Sequence, residues 1–390
     1  MTGGDRPAGG FGGGGGPVCR DNDLVGLESA AALIGAAQGW ASANIVPLNV
    51  SVETTLDCNI RCIHCYNFDR DQPRRSGACG TGPDGAVPRP RLSTERLLSL
   101  MGELREAGCL FLSLTGGEVF THPDLFALLE RAAELHLAVQ LLTNGTLLRP
   151  GVAARLAKFP NLLGTSISLY GATAGVHDSI TQVAGSFSRT WSGIERLRAV
   201  GTAVRLKFIV MRQNAHETDA MIAMATARSF AYSVDLTITA RHDGTDGSVA
   251  ARVDAAQLET LYRGPLRSLL PVGRPTPSAP EMFTCNCARG NCAISAEGEV
   301  YPCISVPWSA GNVQDRPFAA IWRDSPVFQR IRGLSLPDFS KCAPCEHRAY
   351  CTHDRGAAFN ATGDYTSADP FVCEGAILAH RIVDESSDPA

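Results

Sequence analysis

Between residues 46 and 240 the apolar positions follow two alternating spacings. Short apolar runs recur at NIVPLNVSVE (44–53), CLFLSL (109–114), LAVQLL (137–142), LLGTSISL (162–169), AVRLKFIV (203–210) and SVDLTIT (233–239). Each reads as a strand. The stretches between them, 93–107, 123–136, 149–158, 188–200 and 216–230, carry apolar residues three and four apart, the spacing of a helix with one buried face. Strands connected through helices pair in parallel with right-handed crossovers. Six such repeats predict an α/β fold, a (β/α)6 barrel either closed or left partial and open, with a doubly wound sheet as the alternative.

The rest of the chain divides around this segment. We expect a Gly-rich disordered tail over 1–21, a lead-in helix over 22–45, the α/β segment over 46–270, a Pro-rich linker over 271–284, a cysteine-rich segment over 285–378 and a tail over 379–390. The lead-in helix is too short to be a folded recognition domain. DQPRRSGACGTGPDGAVPRPR (71–91) is an insertion rich in Pro, Gly and Arg, and RHDGTDGSVAARVD (241–254) is a polar loop after the sixth strand. No solenoid-type repeat is visible.

Charge changes the picture by exclusion. Lys and Arg total 35 against 39 Asp and Glu, a near balance that argues against broad electrostatic binding to nucleic acid or an anionic membrane. No run reaches the roughly 18 apolar residues that a membrane span needs. The N-terminus lacks the charged start and apolar stretch of a secretory signal, so the expected compartment is the cytoplasm, where thiols stay reduced. Of fourteen cysteines, eleven fall in two zones, 58–65 and 285–373. Clustered cysteines in a reduced compartment point to metal binding.

The first zone, CNIRCIHCY, places Cys58, Cys62 and Cys65 on the loop after the first strand. In parallel α/β barrels the loops at that end of the strands build the active site. Three thiolates can hold three irons of a 4Fe–4S cluster and leave the fourth free, and an open position marks a catalytic centre. The alternative is a zinc site with a distant fourth ligand.

CNIRCIHC resembles the cluster-binding motif of the radical S-adenosylmethionine (SAM) enzymes. The resemblance implies that the open iron is chelated by SAM and that His64 lies near the adenine. It implies that Gly116, Gly117 and Glu118 of LTGGEVF, after the second strand, bind the methionine ammonium. Ser168 of SISLYG is the expected ribose contact. Asn144 of TNG joins the cofactor-binding set, although Asn-Gly is also the commonest turn pair. Lys207, with Arg205 on the same strand, is expected to meet the SAM carboxylate or the substrate; snorkelling surface residues are the plainer reading. The four motifs fall at the same end of successive strands.

The second zone reads CNCARGNCAISAEGEVYPC (285–303), CAPCEHRAYC (342–351) and then Cys373. It resembles the SPASM domain, a C-terminal extension of radical SAM enzymes that carries two auxiliary 4Fe–4S clusters. The family pattern continues with a cysteine where this chain has Arg355. Counting suggests a repair: Cys285, Cys287, Cys292 and Cys303 for the first auxiliary cluster, and Cys342, Cys345, Cys351 and Cys373 for the second. Paired zinc knuckles are the alternative. Cys109 reads as a small packed hydrophobe, and Cys79 as a free thiol or a hydrogen-atom donor; Cys19 is left without a role.

The resemblance implies an enzyme, an oxidoreductase. One-electron reduction of SAM gives a 5′-deoxyadenosyl radical that abstracts a hydrogen atom, and four-cysteine auxiliary clusters relay electrons. The expected substrate is a ribosomally made precursor peptide that acquires a thioether or carbon–carbon crosslink, with a flavodoxin or ferredoxin as electron donor. Ile304 after the Gly-x4-Cys cysteine argues against the sulfatase-maturing group. The alternative is a radical SAM dehydrogenase or epimerase acting on a small molecule or a protein residue.

Overall fold

The computed structural model describes residues 27–71, 89–273, 275 and 285–387. The expected tail over 1–21, the insertion from 72 to 88 with Cys79, most of the linker and Cys19 lie outside the described residues. Helix α1 (Leu27–Ala43) leads into β1 (Asn49–Glu53). There follow α2 (Thr94–Glu106), β2 (Phe111–Thr115), α3 (Leu125–Glu134), β3 (Ala138–Thr143), α4 (Pro150–Leu156), β4 (Leu162–Ser168), α5 (Ala174–Thr181), α6 (Ser186–Ala199), β5 (Val204–Ile209), α7 (Thr218–Ala227) and β6 (Ala231–Asp235). The C-terminal part holds α8 (Ala255–Arg263), β7 (Asn291–Ile294), β8 (Val300–Tyr301), α9 (Phe318–Asp324), α10 (Pro326–Gly333), α11 (Arg355–Thr362) and α12 (Pro370–Ser387).

The strands form one sheet in the order β6-β5-β4-β3-β2-β1-β7-β8. Strands β1 to β6 pair in parallel, as the strand–helix alternation predicts. Their ends do not meet, so the barrel is open. Alternation along each strand sorts its side chains. Val50, Val52, Leu112, Leu114, Val139, Leu141, Leu206 and Phe208 are buried in one hydrophobic cluster with Leu97, Leu100, Leu104, Leu128 and Leu197 of the helices. Ser51, Ser113, Gln140, Ser166 and Lys207 alternate with them and form a polar inner face. The helices are set by local chemistry. Ser93 caps α2 by accepting from Arg96 N, and α2 buries Leu97, Leu100, Met101 and Leu104.

The structure departs from the pattern in four places. The sixth strand ends at Asp235 rather than Thr239, because Asp235 Oδ1 accepts from Thr237 N and Thr237 Oγ1 turns to Asp354 Oδ2. Helices α5 and α8 are short and are fixed by their caps, Thr173 and the Asp254–Gln257 capping box, more than by periodicity. Residues 379–387, expected as a tail, continue α12, because Ala379, Ile382 and Val383 are buried. Finally, the sheet runs on past the linker. Strand β7 pairs in parallel with β1 and covers what would otherwise be its bare edge, and β8 pairs antiparallel with β7. Among the described residues no helix is long and apolar enough to cross a membrane.

Candidate functional site

The loop after β1 carries Cys58, Cys62 and Cys65, and loops from other strands hold it at the open end of the sheet. After β2, Gly117 N and Glu118 N donate to Thr55 O and Asp57 O, each at 2.7 Å. Arg61 N and Ile63 N donate to Thr181 O and Ile180 O at the end of α5. After β6, His242 N and Asp243 N donate to Tyr66 O and Asn67 O. Asn59 accepts from Asn144 Nδ2 at 3.0 Å and donates to Thr146 Oγ1 at 2.7 Å.

The two glycines of LTGGEVF permit a close approach to the cysteine loop itself. Gly116 adopts φ of +144°, and a Cβ there would lie 2.3 Å from Thr55 O. A Cβ on Gly117 would lie 2.2 Å from Asp57 O. Glu118 is buried and turned inward. Its Oε1 accepts from Thr143 Oγ1 at 2.5 Å and Phe120 N at 3.2 Å, and its Oε2 from Asn144 N at 2.7 Å. Burial holds its carboxyl above the usual range in spite of these bonds. The Asn144 amide then reaches Cys58 Sγ at 3.9 Å. Glu118 and Asn144 therefore brace the cysteine loop from below.

A second group lies on the other side. The His64 ring meets Tyr170 edge-on at 4.6 Å, and its buried Nδ1 has no hydrogen-bond partner among the described residues. Burial, with the Lys207 charge nearby, brings His64 down to about 4, so the ring is neutral near pH 7. Tyr170 is hydrogen-bonded to both Ser168 and Cys62. Lys207 stands opposite Ser168 in the β4–β5 register, and its Nζ lies 3.6 Å from Asp235 Oδ2. The expected cofactor residues thus gather at one end of the sheet, in two groups flanking the thiols.

Sequence reasoning missed four residues here: Glu53, Asn59, Arg70 and Tyr170. Glu53, buried at the end of β1, accepts from Tyr66 Oη at 2.7 Å and Asn67 Nδ2 at 3.1 Å. Burial raises its carboxyl, and the Glu297 carboxylate adds to the effect. An acidic residue closing a strand whose preceding inward position is the small Ser51 was the visible signal. Arg70 donates to Leu56 O at 2.9 Å, and its charge favours thiolate at Cys58 and Cys62. Desolvation outweighs it and pushes both thiols up, as does the neighbouring Cys65. Metal binding at these thiols must therefore release protons. Among the described residues no three His, Cys, Asp or Glu side chains converge as ligands of a single ion. Sulfurs spread around a loop suit a cluster in which each thiolate takes its own iron.

In the C-terminal zone two thiol groups form. The Cys373 thiol, at the start of α12, is raised by burial and by Cys342 and Cys345, and that of Cys351 reaches about 11 through burial, with Cys373 and Cys342 adding. These four sulfurs are neighbours. Separately, the Cys287 thiol is hydrogen-bonded to both Cys285 and Cys303. Tyr365 Oη lies 3.0 Å from Cys285 Sγ.

Cys292 does not join this second group, which corrects the expected quartet. It sits on β7 opposite Val50, on the helix-covered face, and is 2% exposed within the hydrophobic cluster that also holds Cys109. The titratable groups that bear on it are Cys109 and Arg332, not Cys285, Cys287 or Cys303. Strand parity decides this, since one residue along β7 would have pointed the thiol to the other face.

Residues 52–225 match the radical SAM superfamily, and residues 285–347 match SPASM, an iron–sulfur cluster-binding domain. The mycofactocin maturase MftC of Mycobacterium ulcerans is 30% identical over 337 residues, covering 81% of this chain and 85% of that protein. The chain belongs to the radical SAM superfamily. The AdoMet-dependent heme synthase of Methanosarcina barkeri is 29% identical over 353 residues, covering 83% of this chain and 96% of that protein. The radical SAM fold here also matches the crystal structure of Streptococcus suis SuiB bound to precursor peptide SuiA, with a TM-score of 0.61 and 16% identity over 91% of this chain and 84% of that one. At that identity the likeness concerns the fold. As a member of this family the protein is an enzyme that uses SAM and iron–sulfur chemistry, and the three-thiol loop after β1 is a donor set that fits it.

Proposed function

We propose that this radical SAM/SPASM enzyme is a maturase that abstracts a hydrogen atom from a ribosomally made precursor peptide and closes a thioether or carbon–carbon crosslink. The observation that carries the reading is the placement of three thiols at the mouth of an open parallel sheet with a polar inner face. A relative named as a maturase, MftC, supports it, and so does AlbA of Bacillus subtilis, named as an antilisterial bacteriocin subtilosin biosynthesis protein and 28% identical over 320 residues.

In this reading Cys58, Cys62 and Cys65 hold a 4Fe–4S cluster, and His64, Gly116, Gly117, Glu118, Asn144, Ser168 and Lys207 form the SAM pocket. Cys342, Cys345, Cys351 and Cys373 hold an auxiliary cluster, and a further one makes three. When bound, cluster and SAM supply the electron and the 5′-deoxyadenosyl group for hydrogen-atom abstraction. The chain's share is position and exclusion of water. Asn59, Asn144 and Thr146 lock the loop with paired hydrogen bonds. The neutral His64 ring offers an unprotonated nitrogen beside Tyr170, suited to an adenine edge. Ser113, Gln140 and Ser166 give the inner face groups that can bond a peptide backbone, and Gln140 Nε2 already donates to Ser166 Oγ at 2.8 Å. An electron donor such as flavodoxin or ferredoxin completes the scheme.

The test is anaerobic. Reconstituted protein reduced by dithionite is expected to release 5′-deoxyadenosine from SAM. Co-expression with a short peptide encoded beside the chain's own reading frame is expected to yield a product lighter by two hydrogen atoms. Release of 5′-deoxyadenosine with no change in any such peptide would turn the reading to a small-molecule substrate. The heme synthase relatives favour that second reading.

A further inference from the structure

The first auxiliary site is one sulfur short. The Cys287 thiol meets both Cys285 and Cys303, and Tyr365 Oη closes on Cys285 at 3.0 Å. Where the SPASM pattern would place a further cysteine the chain has Arg355, 4% exposed at the start of α11. A guanidinium is protonated at every accessible pH and presents only donors, so it cannot ligate iron. Its hydrogen bonds are spent elsewhere: Nε donates to His353 O at 3.2 Å and Nη1 to Ser367 O at 3.1 Å, and its Cζ lies 5.1 Å from the centre of the Phe339 ring. Its charge nevertheless reaches Cys285 on one side and Cys351 and Cys373 on the other. A buried cation between two thiolate groups offsets part of their negative charge. Cys292, the one thiol nearby in sequence, faces the helices with Cys109 and Arg332.

We propose that the first auxiliary cluster is held by the thiolates of Cys285, Cys287 and Cys303 alone, so that its fourth iron takes a soft anionic donor from outside the chain. The inference rests on the iron–sulfur reading of this site. It replaces the electron-relay role expected for a fully ligated cluster with one in which a substrate or exogenous thiolate can bind iron directly.

Full-length protein reconstituted with iron and sulfide tests it. Wild type is expected to hold about twelve irons, Cys292→Val the same number, and Cys303→Ala about four fewer. A Cys292→Val protein that melts normally but lacks those four irons overturns the proposal. The open corner is probed in Cys58→Ala/Cys62→Ala/Cys65→Ala protein, which removes the SAM-site cluster from the spectrum. Added cyanide is expected to shift the electron paramagnetic resonance of the reduced auxiliary clusters, and Arg355→Cys to abolish that shift. An unchanged spectrum with cyanide sinks the open corner. Wild-type protein that takes up no iron sinks the iron–sulfur reading along with it, whereas iron loss confined to Cys292→Val sinks this inference only.

Discussion

The two cysteine zones solve the same problem, gathering thiols, by opposite routes. Cys58, Cys62 and Cys65 lie on one loop, so their proximity is a property of a short length of chain. In the C-terminal zone Cys285 meets Tyr365 from 80 residues further along, and Cys373 reaches Cys342 and Cys345 from α12. A loop can be read from spacing, whereas a convergence of distant segments depends on which way each side chain points. Cys292 is the case in point: its spacing counts it as a ligand and its strand parity buries it in the core.

The sharpest way to break the comparison is at the local site. Cys62→Ala is expected to reduce 5′-deoxyadenosine formation to background and to remove about four irons; measurable turnover by chromatography would dissociate the loop from catalysis. Gly117→Ala comes next. Its Cβ would lie 2.2 Å from Asp57 O, so the cysteine loop must move, and a shift of that size predicts a loss of about a hundredfold in SAM cleavage with the thiols all present. Cys373→Ala should also remove about four irons, yet leave SAM cleavage within a few-fold of wild type while abolishing conversion of the true substrate. Equal loss of both activities would mean that the two zones act as one centre.

The smallest effect is on stability and lies outside both zones. His177 is buried, and its Nδ1 accepts from Tyr170 N at 3.1 Å. Burial lowers it from 6.5 to about 4, so the unfolded chain takes up the proton first as pH falls. Its contribution is complete above the unfolded value and is lost as pH drops toward the folded one. Between those limits His177 contributes the equivalent of about 3 kcal/mol to the fall in urea stability, and His177→Gln should make the slope shallower by that share.

Much of the fold was legible because helices and strands obey local periods. The six parallel strands appear where apolar runs and helical spacing place them, with ends displaced by a few residues. The addition of β7 to the edge of β1 was not legible, since nothing in NCAI distinguishes a strand that joins a distant sheet from a local hairpin. The loops that clamp the cysteines were visible as motifs, but not their purpose. Gly116 and Gly117 read as ligand-facing glycines, and the spacing gave no sign that they also admit the backbone of Thr55 and Asp57.

What the amino-acid sequence determined by itself is the alternation of strands and helices and the cysteine loop that follows β1. Chain length alone keeps those three thiols within reach of one cluster. Only the tertiary structure decided that Glu118 and Asn144 brace that loop, that Cys292 belongs to the core, and that Arg355 stands between two thiol groups. Those outcomes depend on side-chain direction and on contacts between segments far apart in the chain. Local propensity carries no information about either.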